Sequence, residues 1–96
     1  MGKKLLQSRL VDTSQQLKRL QVDLQITEEQ LASLTDEAED ARIRSLVSET
    51  PIADKEHREA RKHAESMQRH LTDLKTEIAK IEDLQNQLLD QISASK

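Results

Sequence analysis

Apolar residues recur along this chain in alternating steps of four and three. The first run is Leu6, Leu10, Thr13, Leu17, Leu20, Leu24, Thr27, Leu31, Leu34, Ala38 and Ala41, without a slip. With Leu10 as a, positions 10, 17, 24, 31 and 38 are a, and 6, 13, 20, 27, 34 and 41 are d. This spacing keeps one helix face apolar over five heptads, the pattern of a coiled coil. A second run does the same: Ala53, His57, Ala60, Ala64, Met67, Leu71, Leu74, Ile78, Ile81, Gln85, Leu88 and Ile92. Its a positions are 57, 64, 71, 78, 85 and 92, and its d positions 53, 60, 67, 74, 81 and 88. The two runs are out of phase, so one uninterrupted helix cannot hold both stripes on one face.

The phase break falls within LVSETPIADKEH, residues 46–57, which contains Pro51, the only proline. Proline disfavours helical geometry at the residue before it and suits the first position of a new helix. Thr50 is then a natural N-cap, with Asp54 and Glu56 near the positive end of the second helix dipole. Arg42 and Arg44 fall in the last turns of the first helix, where cations are favoured. The chain therefore reads as all-α: helix one over about 3–47, a turn at about 48–50, and helix two over about 51–93. Residues 1–96 make a single helical hairpin on this reading.

A short link between long helices implies an antiparallel pair, in which a residues face d residues of the partner. A register in which facing residue numbers sum to 98 puts Leu10 opposite Leu88, Leu17 opposite Ile81, Leu24 opposite Leu74 and Leu31 opposite Met67. The same register sets Leu6 against Ile92, Leu20 against Ile78 and Leu34 against Ala64, and it makes Thr13 and Gln85 share one polar layer. A paired polar layer can define register, because an unpaired buried polar group costs about 1–3 kcal/mol. On the flanks, Arg44 would face Glu56, Glu37 would face His63, and Glu28 would face Lys75. Against these stand the like-charged matches Arg42 with Arg61 and Asp23 with Glu77. One stretch pulls the other way: LQVDLQIT, residues 20–27, alternates apolar and polar as a strand does. The heptad runs through it unbroken and no partner strand exists, so helix is expected there.

Composition narrows the class. The chain has no Phe, Trp, Tyr or Cys, and 34% of its residues are charged. A globular core would be short of aromatic area, whereas long helices and coiled coils have this composition. Residues 1–48 carry seven basic and eight acidic side chains, and residues 49–96 carry eight and ten. Neither half has the basic excess or the stacking platforms of a nucleic-acid surface, so no nucleic-acid partner is expected. No apolar run is long enough for a signal peptide or a membrane span. The expected setting is cytoplasmic, without membrane contact.

Catalytic chemistry finds no foothold. Glu59 and His63 share a helix face at a spacing that can hold a metal, and His63 and His70 lie on one side, yet no further ligand completes a set. No nucleophile arrangement, glycine-rich phosphate loop or paired carboxylates can be argued. The expectation is a non-enzyme with no cofactor and no metal.

What remains are residues outside the seam. Ile43, Leu46, Val47 and Ile52, with Glu49, Asp54 and Glu56, surround the turn and form a candidate partner-binding tip. The seam beneath the tip is made of small residues: Ala38 faces Ala60, Ala41 faces His57, and Ser45 faces Ala53. Val22, Ile26, Leu84 and Leu89 widen the apolar stripe elsewhere. They form a candidate oligomer face, because a two-helix hairpin buries one face of each helix and such hairpins pair into four-helix assemblies. The expected function is a protein–protein interaction module, an adaptor, spacer or regulatory subunit, that forms a homodimer. In outline the hairpin and its acidic tip residues also resemble the Gre and DksA type of transcription factor. That resemblance covers the hairpin only, and the family's second globular domain has no counterpart here. It implies a coiled-coil finger regulator of RNA polymerase, with Glu49, Asp54 and Glu56 as the acidic residues presented in the enzyme's secondary channel.

Overall fold

The computed structural model describes residues 2–94. The chain forms two α-helices, α1 (Lys3–Ser48, 46 residues) and α2 (Pro51–Ala94, 44 residues), which make a helical hairpin. Among the described residues there is no strand, and no helix is long and apolar enough to cross a membrane. The stretch at residues 20–27 with strand-like alternation is helical, because every backbone polar group has a partner within its own helix and none across from a second strand.

All positions of both heptad runs are buried or half-buried. Exposure elsewhere is general, with Arg9, Ser14, Gln16, Ser45, Glu77 and Leu84 the other residues partly or fully withdrawn from water. Packing divides the chain into two units. One comprises the residues up to Leu24 with those from Asp73 onward, and the other is Gln25–Thr72.

The first unit holds the apolar cluster. Leu17, Ile78 and Ile81 are buried together, with Leu20 and Leu24 packed against them. These are neighbours in the register inferred above, and Leu88, at 1% exposure, is the most completely enclosed large side chain. The polar layer is arranged differently from expectation. Thr13 is buried, but its hydroxyl donates to the carbonyl of Leu10 at 2.8 Å, and the Gln85 amide Nε2 donates instead to Ser14 Oγ at 3.3 Å. A helical threonine can reach a carbonyl one turn back without leaving its rotamer, so Thr13 is satisfied locally. The cross-helix partner is the serine beside the seam. Among the described residues no buried side-chain polar atom lacks a partner.

The second unit contains the turn and the small-residue seam. Its buried positions include Thr27, Ala41, Ser45, Ala53 and Leu71. Alanine and serine bury little apolar surface, and at about 25 cal/mol per Å² such a seam contributes less than the Leu/Ile layers. Ser45 Oγ donates to the Arg42 carbonyl at 2.7 Å, the same local solution that Thr13 uses.

Candidate functional site

The turn is built by two interlocking caps. α1 ends at Ser48, and Glu49 has φ 51°, in the left-handed region. Its amide donates to the Ser45 carbonyl at 3.1 Å. That single bond from the residue past the helix end closes an αL C-cap, a position usually held by glycine. Thr50 follows as N-cap of α2. Its carbonyl accepts the first helical bond, from Asp54 N at 3.1 Å, and its Oγ1 accepts the N–H of Ala53 at 3.2 Å. Pro51 occupies the first helical position, where no N–H is needed, and Asp54 lies in the first turn, where the dipole favours an acid. The last turn of α1 holds no basic residue. Arg44 stops one residue short of it, so the expected cation at that helix end is displaced inward.

Around this turn the apolar candidates are in water. Val47 is 80% exposed, Ile52 68%, Leu46 62% and Ile43 48%. Glu49, Asp54 and Glu56 are exposed as well. The tip therefore presents four large apolar groups and three carboxylates on a turn whose backbone groups are satisfied.

The flanks below the tip carry open grooves. One is lined by Glu37, Asp40, Ala41, Arg44, Glu56 and Ala60. Arg44 and Glu56 thus border the same groove, as the register requires, but no ion pair joins them. The other expected pairs, Glu37 with His63 and Glu28 with Lys75, also form none. Ion pairs among the described residues instead include three within one helix: Arg42–Glu39 at 2.7 Å, Lys55–Glu59 at 3.9 Å and Arg61–Glu65 at 3.6 Å. Exposed side chains gain little from a cross-helix pair, and partners three or four residues along already share a helix face. The Arg42 pair is two-pronged, with Nε also donating to Glu39 Oε2 at 3.0 Å. The hydrogen bond to Arg42 holds the Glu39 carboxyl below its usual range, helped by the charges of Arg42 and His57; the same hydrogen bond raises Arg42.

His63 and His70 line an open groove with Leu34, Ser66 and Met67. Among the described residues no group of three or more His, Cys, Asp or Glu side chains could hold a metal. Away from the tip, Val22 and Ile26 are exposed, Leu89 is exposed and Leu84 is half-buried. Two apolar residues not singled out from the heptad pattern, Leu5 and Val11, are also exposed. Each is directly next to a seam residue, Leu6 or Leu10, and so sits about 100° round the helix from it, on the side a helical net drawn from the seam leaves open.

No protein-family model, curated protein or solved structure matches this chain.

Proposed function

We propose that this chain is a non-enzymatic coiled-coil interaction module, an adaptor, spacer or regulatory subunit, that docks on a protein partner through its tip. The observation that supports this most is the exposure of Leu46, Val47 and Ile52 beside a turn held by its own C-cap and N-cap. Apolar groups gathered around one turn and rimmed by charge have the composition of a protein contact surface. The grooves nearby are open and lined by mixed charge, which suits contact with a surface better than enclosure of a small molecule. Self-association belongs to the same reading, since a two-helix layer leaves one side of each helix in water.

The test compares proteins retained by the wild type with those retained by Leu46→Asp plus Ile52→Asp, using Ser33→Asp as a surface control, at an exposed position, and circular dichroism to confirm helicity. A partner held by the wild type and the control but lost by the tip variant supports the reading. Identical retention by all three refutes it.

A second reading, a finger that regulates a large enzyme such as RNA polymerase, draws on the exposed carboxylates of Glu49, Asp54 and Glu56. Under that reading the neutral variant Glu49→Gln plus Asp54→Asn abolishes an effect of the wild type on transcription in vitro. A polymerase indifferent to the wild-type protein discards it.

A further inference from the structure

The Gln85 to Ser14 hydrogen bond marks one flank of the first unit. In an antiparallel pair, one turn back from Ser14 and one turn on from Gln85 lead in the same direction along that flank. They reach Val11 and Leu89, both exposed. The opposite direction reaches Lys18 and Glu82, also exposed and in no ion pair with any described residue. The flank thus carries an apolar patch, a hydrogen-bonded polar pair, and then two charges of opposite sign. Around these, Gln7, Gln21, Ala79 and Asn86 add uncharged surface.

We infer that this flank is the seat of a second copy of the chain, related by a two-fold axis that runs along the helix pair. This deepens the self-association part of the reading above. Such an axis lays α1 of one copy across α2 of the other, twice, in a four-helix arrangement. Charge supports that choice of occupant. Within the first unit, α1 carries five basic and two acidic residues, while the described part of α2 carries two basic and five acidic. Those totals run around the whole of each helix; on the flank itself the opposite charges are Lys18 on α1 and Glu82 on α2, with Lys4 and Lys75 the other charged residues there, and this axis sets Lys18 against Glu82 twice, whereas an axis that laid α1 on α1 would bring like charges together. Lys18 of each copy then meets Glu82 of the other, and Val11 meets Leu89.

Area supports it too. The accessible surface is 7000 Å² for an 11.0 kDa chain, whereas a globular monomer of that mass exposes about 5,600 Å². The difference of about 1,400 Å² exceeds the roughly 800 Å² per partner that a standard interface removes. Of the oligomer-face residues first singled out, Leu89 lies on this flank, whereas Val22, Ile26 and Leu84 do not.

Sedimentation equilibrium at micromolar concentration tests the inference, with helicity checked by circular dichroism. The wild type is expected at twice the chain mass. Lys18→Glu alone and Glu82→Lys alone are each expected to raise the dimer dissociation constant at least tenfold. The double variant Lys18→Glu plus Glu82→Lys is expected to recover most of that loss, which a merely unfolded single variant could not explain. Because the chain has no cysteine, a mixture of Val11→Cys and Leu89→Cys chains should also form a mixed disulfide, and a mixture of Val47→Cys and Leu89→Cys should not. A monomeric wild type overturns the proposal. So does a dimer that is insensitive to both charge reversals, or one that fails the Val11–Leu89 cross-link. These readouts use no external partner, so their failure leaves the tip experiment standing.

Discussion

Replacing Glu49 by glycine should stabilise the fold, and by an amount that can be worked out beforehand. The residue has φ 51°, a conformation that brings the Cβ of an L-residue too close to its following carbonyl and costs about 1–2 kcal/mol. Glycine removes that cost. It also adds freedom to the unfolded chain, worth about 0.4–1 kcal/mol in the opposite direction. The net gain is about 1 kcal/mol, equivalent to roughly 4–8 °C in Tm for a domain of this size. The bond from residue 49 N–H to the Ser45 carbonyl is a backbone bond and survives the change. Charge is the confounding factor: the carboxylate sits just past the negative end of α1 and just before the positive end of α2, so its two dipole interactions oppose each other. Glu49→Ala separates the effects, because it deletes the charge and keeps the strained φ. Thermal melts followed by circular dichroism, at one fixed concentration because association shifts Tm, should rank Glu49→Gly above the wild type and Glu49→Ala close to it. Glycine and alanine variants melting together, or a glycine variant below the wild type, would refute the account of the turn.

Other expectations follow from burial and capping. Leu88→Ala should cost about 2–5 kcal/mol in urea unfolding, since its side chain is enclosed; Val47→Ala should stay within about 0.5 kcal/mol. Equal effects would mean that the seam is misassigned. Thr50→Ala should cost about 1 kcal/mol by removing the Oγ1 acceptor of Ala53 N–H, and Thr50→Ser should retain most of it. Amides in the small-residue part of Gln25–Thr72 should exchange with solvent sooner than those around Leu17, Ile78 and Ile81, which exchange mass spectrometry resolves directly. Glu39→Gln should lower Tm slightly at pH 7. The folded-state pKa of Glu39 is depressed, so its contribution is present above the unfolded carboxylate pKa and lost as pH falls through the folded value. The two proteins should therefore melt together in acid, and a difference that persisted there would point to a cause other than the Arg42 pair.

Much of the fold was legible because one physical constraint dominates it. With no aromatic residue and few apolar ones, the chain can exclude water only along two stripes, and a four–three spacing admits one helical phase for each. Every seam residue from Leu6 to Ile92 is withdrawn from water accordingly. The details that escaped all involve competing local bonds. Thr13 and Ser45 satisfy their hydroxyls on carbonyls one turn back, a choice the heptad letter does not encode. That freed Gln85 to reach Ser14. The flanking charges paired along their own helices for the same reason, since a neighbour on the same helix is always near. The left-handed residue was hidden because glutamate stands where glycine would have announced it.

The tip candidates raise a question of energy rather than of pattern. The turn needs only its backbone bonds, the Thr50 hydroxyl and Pro51, and none of these depends on Leu46, Val47 or Ile52. Their exposed side chains add nothing to folding. Burying a large aliphatic side chain contributes about 1.5–3 kcal/mol, so a partner that covered all three would gain roughly 5–9 kcal/mol before other terms. Association itself costs about 4–15 kcal/mol in lost freedom. The two ranges overlap, so the apolar tip alone supports at most a weak, short-lived contact. A stable complex requires the carboxylates to find cationic partners as well. On these magnitudes, binding at the tip should weaken with added salt through Glu49, Asp54 and Glu56. A tip contact driven by apolar burial alone would be nearly salt-independent, which makes the ionic-strength dependence of binding the measurement that separates the two.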